Sequence, residues 1–228
     1  IQSKKDLSKQ RGISIGAGST TNEETVKFDN VGFAYPLVNW PLILKRPTEI
    51  VELDWSYRNA SLEDGVMLSN LEESSYVLQH LTEIVLDTSG SIDDELLKTF
   101  LRECKNILNF SKLKVGCFDT KFYGFIEIRT IADVERLTFK GRGGTDFVAA
   151  INAFTETADN KVIFTDGDAY MPSKKIDAIW IVFGDKEIHP NGGKVIYIDK
   201  KRLDEAMERN QALDSSQDNN MLIRSIRR

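Results

Sequence analysis

The sequence predicts an α/β fold, with a doubly wound, mainly parallel Rossmann-like sheet, helices on both faces, and an N-terminal extension. One observation is a series of short, almost continuously apolar runs. The other is the long amphipathic pattern that lies between the first run and the second. A strand buried on both faces carries apolar residues throughout, so helices must cover both sides of such a sheet. The runs are Ile84–Leu86, Leu113–Phe118, Val162–Phe164, Ala178–Phe183 and Val195–Ile198.

The region before the first of these runs has a different character. Residues 1–35 are rich in Gly, Ser, Thr and charge, which predicts a flexible N-terminal segment. Residues 36–81 are interpreted as an extension that packs on the core. Within it we expect a short helix at Val38–Leu44, a strand at Ile50–Trp55 and an acidic, irregular stretch at Leu62–Tyr76.

The core domain is expected to span residues 82–200. Apolar residues from Ile92 to Leu108 recur at helical spacing, which predicts a helix with one buried face. The run that ends at Phe118 is followed closely by Phe122–Ile128, which suggests a hairpin. A short helix is predicted at Asp146–Thr155, after the loop Gly141–Gly144. Residues 201–228 should supply a C-terminal helix and a disordered tail.

Composition excludes several classes of protein. The 228 residues are 41% hydrophobic with a net charge of -5, which does not suggest a basic nucleic-acid-binding face. No apolar run is long enough to span a bilayer, and Ile1–Arg11 does not resemble a signal peptide. The lack of an initiator Met suggests a processed chain or part of a longer one. Cys104 and Cys117 are expected to be buried and reduced, which predicts a cytoplasmic protein.

Oxygen-bearing side chains cluster where the predicted strands end. Asp87, Asp119 and Asp166 each follow a strand, and ligands of open α/β sheets bind at these carboxyl ends. Ser89 and Ser91 follow Asp87, while Thr145 begins the helix after the glycine-rich loop. Carboxylates offset the charge of a hard divalent cation, and hydroxyls fill further positions without adding charge. The pattern therefore predicts a metal site with room for an external ligand.

These motifs resemble the von Willebrand factor A (VWA) fold with its metal-ion-dependent adhesion site (MIDAS). The resemblance rests on the Asp-x-Ser-x-Ser motif at residues 87–91, Gly-Gly-Thr at 143–145 and Thr-Asp-Gly at 165–167, in this order. It implies a sheet in the order 3-2-1-4-5-6 with one antiparallel edge strand. It also implies Mg2+ or Mn2+ and a protein partner whose Asp or Glu completes the coordination. The implied metal-site residues are Asp87, Ser89, Ser91, Thr145 and Asp166, with Asp119 and Asp168 as candidate supporting groups.

A further resemblance is to bacterial VWA-like proteins described as metallopeptidases, and it rests on Asn39–Trp40, then Asp54–Arg58, then the strand into Asp87–Ser91. Such proteins imply a MoxR-like AAA+ ATPase as partner. This chain departs from them because it lacks His-Glu-x-x-His and has only His80 and His189. A zinc peptidase needs several ligands and a base, so we predict that the chain is a binding module rather than an enzyme. The alternative is that it belongs to a metal-dependent peptidase whose zinc-binding region lies elsewhere.

Each site residue also has an ordinary structural interpretation. Ser91 with Asp94 resembles a capping box, and Thr145 has the chemistry of an N-cap. Asp166 before Gly167 is typical of a turn. Arg142 between glycines is either a contact for a partner or a solvated loop residue. Two further alternatives are a scaffold that no longer uses metal and a phosphatase of the haloacid-dehalogenase type, suggested by Asp166-Gly167-Asp168. The phosphatase motif should be followed by Thr or Val where this chain has Tyr170, and it should lie at the start of the domain rather than near its end.

Overall fold

A computed structural model describes residues 24–28, 31, 35–64 and 66–210, with only the backbone for residues 24, 53–60 and 66–73. The elements follow the chain as a mixture of strands and helices, of which most lie after residue 80. In order they are β1 (Glu24–Lys27), α1 (Trp40–Ile43), β2 (Thr48–Glu63), β3 (Val66–Leu78), β4 (Leu81–Asp87), α2 (Asp94–Leu108), β5 (Lys112–Phe118), β6 (Phe122–Ile128), α3 (Ile131–Glu135), β7 (Thr138–Gly141), α4 (Phe147–Ala153), β8 (Asn160–Thr165), β9 (Ile179–Phe183) and β10 (Lys194–Ile198).

The central sheet has six strands in the order β10-β9-β8-β4-β5-β6. All neighbouring pairs are parallel except β5 and β6, which form the antiparallel hairpin at one edge. The predicted strand order and antiparallel edge strand are therefore confirmed. Because β4 and β8 are neighbours, the chain segments that follow Asp87 and Thr165 leave the sheet side by side.

Both faces of the central strands are buried, which explains why their sequences are almost entirely apolar. In β4, Ile84 and Leu86 belong to the hydrophobic cluster that includes helix α2, whereas Val85 belongs to the cluster that includes helix α4. Successive residues of a strand point to opposite faces, so β4 contributes to the two clusters in alternation. The domain is thus a mostly parallel sheet packed by helices.

Helix α2 supplies the largest helical surface of this core. Asp93 is its N-cap, and its side chain accepts a hydrogen bond from the Leu96 amide at 2.7 Å. The predicted apolar stripe is buried, and the Phe100 ring contacts those of Phe164 and Phe183 with centroids 5.4 and 4.9 Å apart. The stripe fixes the helix against the sheet, and the N-cap fixes where it begins.

The described residues before β2 pack against the core domain, whereas the predicted flexibility of residues 1–23, 29–30 and 32–34 lies outside the described residues. β1 pairs antiparallel with β7, although the sequence predicts a flexible segment over residues 1–35. Phe28, Val31, Val38, Trp40 and Leu44 are buried in the same cluster as helix α2. A single short strand has no stability of its own, so its local pattern does not reveal it.

The next segment is a long hairpin of β2 and β3, joined near residue 65. The prediction of an irregular stretch at Leu62–Tyr76 is wrong, because residues 66–78 form β3. β3 contains many Ser and Glu residues, which are more common in loops than in strands, so its composition does not predict a strand. Val51, Leu62 and Val77 of this hairpin are more than half exposed, so these apolar side chains make few packing contacts. The side chain of Trp55 lies outside the described residues.

The end of the described chain agrees with the prediction, since residues 200–210 are helical. The tail from residue 211 lies outside the described residues. Cys104 and Cys117 are free and buried, as predicted, and burial raises the pKa of both thiols. No helix among the described residues has both the length and the apolar character needed to cross a membrane.

Candidate functional site

Asp87 is the last residue of β4, and its side chain is fully buried. One carboxylate oxygen, Oδ1, accepts a hydrogen bond from the Ser89 amide at 3.0 Å. The other, Oδ2, accepts from the Thr165 hydroxyl at 2.7 Å. Burial raises the pKa of Asp87 to about 6, the hydrogen bonds lower it, and the negative charge of Asp166 raises it further. Asp87 is therefore a desolvated acid beside a second acid.

The two predicted serine ligands lie in the turn after Asp87. Their hydroxyl oxygens are 3.2 Å apart, with Ser89 buried and Ser91 exposed. The capping-box interpretation of Ser91 is wrong, because the N-cap of α2 is Asp93. The Asp87, Ser89 and Ser91 side chains thus lead from the buried end of β4 to the surface.

The loop Gly141–Gly144 lies against this turn through backbone hydrogen bonds. The Arg142 amide donates to the Thr88 carbonyl at 2.7 Å, and the Gly90 amide donates to the Gly143 carbonyl at 2.8 Å. A Cβ on Gly90 would lie 3.3 Å from the Arg142 carbonyl oxygen, so the close approach of the two loops favours glycine there. The loop that leads to Thr145 is therefore joined to the serine-bearing turn.

Thr145 is half-buried at the end of this loop, and it is not a helix cap. The N-cap of α4 is Asp146, whose side chain accepts from the Val148 amide at 2.8 Å. The N-cap interpretation of Thr145 is therefore wrong. A metal-ligand role for Thr145 stays a prediction.

Asp166 follows β8 and is half-buried. Its Oδ1 accepts from the Asp168 amide at 3.0 Å, and Gly167 has φ 78°, so the predicted turn is confirmed. The turn occupies one carboxylate oxygen of Asp166. Asp168 itself is exposed and forms an ion pair with Lys186, so its carboxylate points to a different partner.

Residues 82–199 match the family model described as a VWA-like domain (DUF2201). The chain belongs to this family. No curated protein matches the chain. The matched segment begins in β4 and ends after β10, so it contains every element of the six-stranded sheet and all five predicted metal-site residues. β1, α1 and the β2–β3 hairpin lie before the VWA-like domain.

Sequence reasoning missed one residue that contacts the predicted site directly. The Thr165 hydroxyl donates a hydrogen bond to Asp87 and accepts one from the Gly167 amide at 3.0 Å. In the strand run Val162–Thr165 it resembles an ordinary β-branched strand residue. The parallel register pairs Leu86 with Phe164, so the next residues, Asp87 and Thr165, lie side by side. That register is the signal that identifies Thr165.

Arg142 differs from one of its two predicted roles. It has φ 76°, and its guanidinium donates to the Ile92 carbonyl and to Asp94. The solvated-loop interpretation is therefore wrong, because the guanidinium is paired within the chain, whereas a contact with a partner stays a prediction. Arg142 joins the glycine-rich loop to the start of helix α2.

The donor set fits a hard divalent cation. Among the described residues no group of three or more His, Cys, Asp and Glu side chains could hold a metal. The predicted set instead combines the carboxylates of Asp87 and Asp166 with hydroxyls, and oxygen donors are those that such a cation prefers. Asp87 accepts hydrogen bonds from the Ser89 amide, the Ser89 hydroxyl and the Thr165 hydroxyl, and the two oxygens of an ionised carboxylate can together accept about four. A cation between Asp87 and Asp166 would offset their repulsion.

Proposed function

We propose that the VWA-like domain is a metal-ion-dependent protein-binding module with a MIDAS-type site. Asp87, Ser89, Ser91, Thr145 and Asp166 would hold Mg2+ or Mn2+, directly or through water. The observation that carries the proposal is the fully buried Asp87 carboxylate, which has a second carboxylate as its charged neighbour. A buried charge beside a like charge is costly unless a cation accompanies it.

The side chains would divide the work by charge and by position. Asp87 and Asp166 would balance the two positive charges of the cation. Ser89, Ser91 and Thr145 would add neutral oxygens from two loops that already hydrogen-bond to each other. Ser91 is exposed, while Thr145 and Asp166 are half-buried, which leaves the outer side of the site accessible.

The ligand from outside would be an Asp or Glu carboxylate of a protein partner. A hard dication prefers oxygen ligands, and a carboxylate supplies charge and oxygen together. The partner that we consider first is a MoxR-like AAA+ ATPase, on the basis of the bacterial VWA-like proteins that the sequence resembles. The cation itself would attract the partner carboxylate, and the residues around the cation would hold it in position.

Isothermal titration of the metal-free chain with Mn2+ tests the metal site. The wild-type chain is expected to bind one Mn2+, and Asp87→Ala is expected to abolish binding. Asp168→Ala is the matched control, because Asp168 is close in sequence to Asp166 but pairs with Lys186. Equal Mn2+ binding by the wild type and Asp87→Ala would sink the proposal.

Capture of a carboxylate needs a separate measurement. A fluorescent peptide with one Glu should bind the Mn2+-loaded chain, and the same peptide with Gln should not. Binding that persists after chelation of the metal would contradict metal-dependent recognition. The peptidase alternative stays a prediction, and stoichiometric zinc with chelator-sensitive peptide cleavage would favour it.

A further inference from the structure

Asp119 follows β5 and is a second buried carboxylate near the predicted metal site, with 4% of its surface exposed. Its Oδ1 accepts from the Lys121 amide at 3.1 Å and from the Thr120 hydroxyl at 3.3 Å. Its Oδ2 accepts from the Tyr123 hydroxyl at 3.0 Å and from the Gly143 amide at 3.2 Å. Four protein donors therefore surround this one side chain.

The number of donors separates Asp119 from Asp87. Each oxygen of Asp119 already accepts two hydrogen bonds, which fills the usual capacity of a carboxylate oxygen. Asp87 accepts three in all, from the Ser89 amide, the Ser89 hydroxyl and the Thr165 hydroxyl. A cation would have to displace protein donors to bind Asp119, so this residue has the character of a support rather than a ligand.

Asp119 holds the glycine-rich loop on both sides of Thr145. Its carboxylate binds the Gly143 amide, and its main-chain carbonyl accepts from the Asp146 amide at 2.8 Å. Thr145 lies between these two anchored residues. The Gly143 carbonyl in turn accepts from Gly90, in the turn that carries Ser89 and Ser91. One carboxylate therefore connects the end of β5 to both loops of the predicted site.

The lack of a side chain at residue 143 is part of this arrangement. A Cβ there would lie 2.8 Å from the Asp119 Oδ2, which is too close without a shift of the loop or the carboxylate. A Cβ at Gly144 would meet only the Thr120 methyl carbon, at 3.7 Å, an ordinary contact. The two adjacent glycines thus differ in whether they touch Asp119.

We propose that Asp119 is a positioning residue for the metal site, which fixes the backbone on both sides of Thr145 so that its hydroxyl is presented beside Ser89 and Ser91. The inference rests on the proposed function. Partners that orient metal ligands without touching the metal typically change affinity 10–100-fold when they are replaced. Asp119 would act in this way through the loop.

Mn2+ titration of Asp119→Asn tests the proposal. Asparagine keeps the shape but replaces one carboxylate oxygen with a donor group, so either the Lys121 or the Gly143 amide loses its acceptor, and Mn2+ affinity should fall at least about tenfold. Tyr123→Phe is the control, because it removes one hydrogen bond to Asp119 that does not lead to Thr145. Its affinity should stay within about threefold of the wild type, and an equal loss in both variants would overturn the proposal.

Two glycine variants keep the test decisive if Asp119→Asn does not fold. Gly143→Ala should weaken Mn2+ binding about tenfold by displacing the loop, whereas Gly144→Ala should leave it within about twofold. An unchanged affinity in Gly143→Ala, with a folded chain, would contradict the positioning role. A similar loss in Gly144→Ala would indicate that any change in the loop weakens the site.

Hydrogen exchange of the metal-free chain separates this inference from the proposed function. In Asp119→Asn, the amide of Gly143 should exchange at least about tenfold faster, while those of β4 stay protected. Unchanged exchange would overturn the positioning role even if the wild type binds Mn2+. A wild-type chain that binds no Mn2+ would instead sink the proposed function, and Asp119 would then position no metal ligand.

Discussion

Two buried carboxylates in this protein have raised pKa values for the same reason but lie in opposite surroundings. Asp87 ends β4 at the candidate site, and burial raises its pKa to about 6. Glu103 lies on helix α2 under the segment Leu37–Trp40, and burial raises its pKa to about 7. The difference lies in what surrounds each group once it is desolvated.

Glu103 is surrounded by donors from the protein itself. It accepts from the Leu37 amide at 2.8 Å and from the Trp40 indole at 2.6 Å, and the positive charge of Arg202 lowers its pKa. Asp87 also accepts hydrogen bonds from Ser89 and Thr165, but its charged neighbour is the carboxylate of Asp166. Burial alone thus does not mark a functional acid, whereas a buried acid whose charge the protein leaves uncompensated is a candidate ligand.

The largest expected effect is a loss of stability when the surroundings of Glu103 are disrupted. Trp40→Ala should lower the free energy of unfolding by about 3–5 kcal/mol, because it removes a buried ring that packs against Phe164 and also takes a donor from Glu103. Urea unfolding measures the change. A loss under about 1 kcal/mol would mean that residues 37–44 add little to the core.

The change in stability on addition of Mn2+ tests whether Asp87 is a metal ligand. At a Mn2+ concentration 100 times the dissociation constant, the wild-type chain should gain about 2.7 kcal/mol of stability. Asp87→Asn should gain none, because its amide cannot supply the charge that holds a dication. Glu103→Gln is the matched control and should gain as much as the wild type. Thermal unfolding with and without Mn2+ makes the comparison.

The stability of the metal-free chain should depend on pH through Glu103. Its folded-state pKa of about 7 exceeds the ordinary value of 4.5, so the folded state holds this proton more tightly than the unfolded state. The stabilising contribution is complete below about pH 4.5 and is lost as the pH rises through about 7.

Glu103→Gln removes this titration. Between about pH 5 and about pH 8, the free energy of unfolding of the wild type should fall by at least about 1 kcal/mol relative to the variant. Urea unfolding at the two pH values provides the measurement. Parallel behaviour of the two chains would show that Glu103 does not carry the dependence.

The smallest expected effect concerns the neighbour of Asp87. The charge of Asp166 is the weakest of the influences on the pKa of Asp87, so Asp166→Asn should lower that pKa by less than about one pH unit. An NMR titration of the Asp87 carboxyl carbon measures it, with Asp168→Asn as the control. A rise in the pKa of Asp87 would contradict the repulsion between the two acids.

The parts that sequence reasoning predicted correctly are those with a strong local pattern. Continuous apolar strands and the stripe of α2 are local signals of burial, and the sheet order followed from motifs that identify the family. The set of metal-site residues stays a prediction. The structure adds that neither Ser91 nor Thr145 is used as a helix cap.

What the sequence did not reveal depends on pairs of residues far apart in the chain. β1 and β7 are four residues each and exist because they pair with each other. The role of Thr165 depends on a partner 78 residues away, and Asp119, although named as a candidate supporting group, has a partner 24 residues away that the sequence does not identify. Arg142 likewise reaches back to the start of α2. No local periodicity carries such information.

The pairing of β1 with β7 bears on how the protein can be divided. A polypeptide trimmed to the family match at residues 82–199 would lack β1, so the edge of β7 just before the Gly141–Gly144 loop would have lost its partner. It would also uncover Phe139 and Phe164, which Phe28 and Trp40 cover in the longer chain. An open strand edge beside exposed aromatic rings favours aggregation. A polypeptide trimmed to the family match is therefore expected to aggregate more readily than one that keeps β1 and the segment with Phe28 and Trp40.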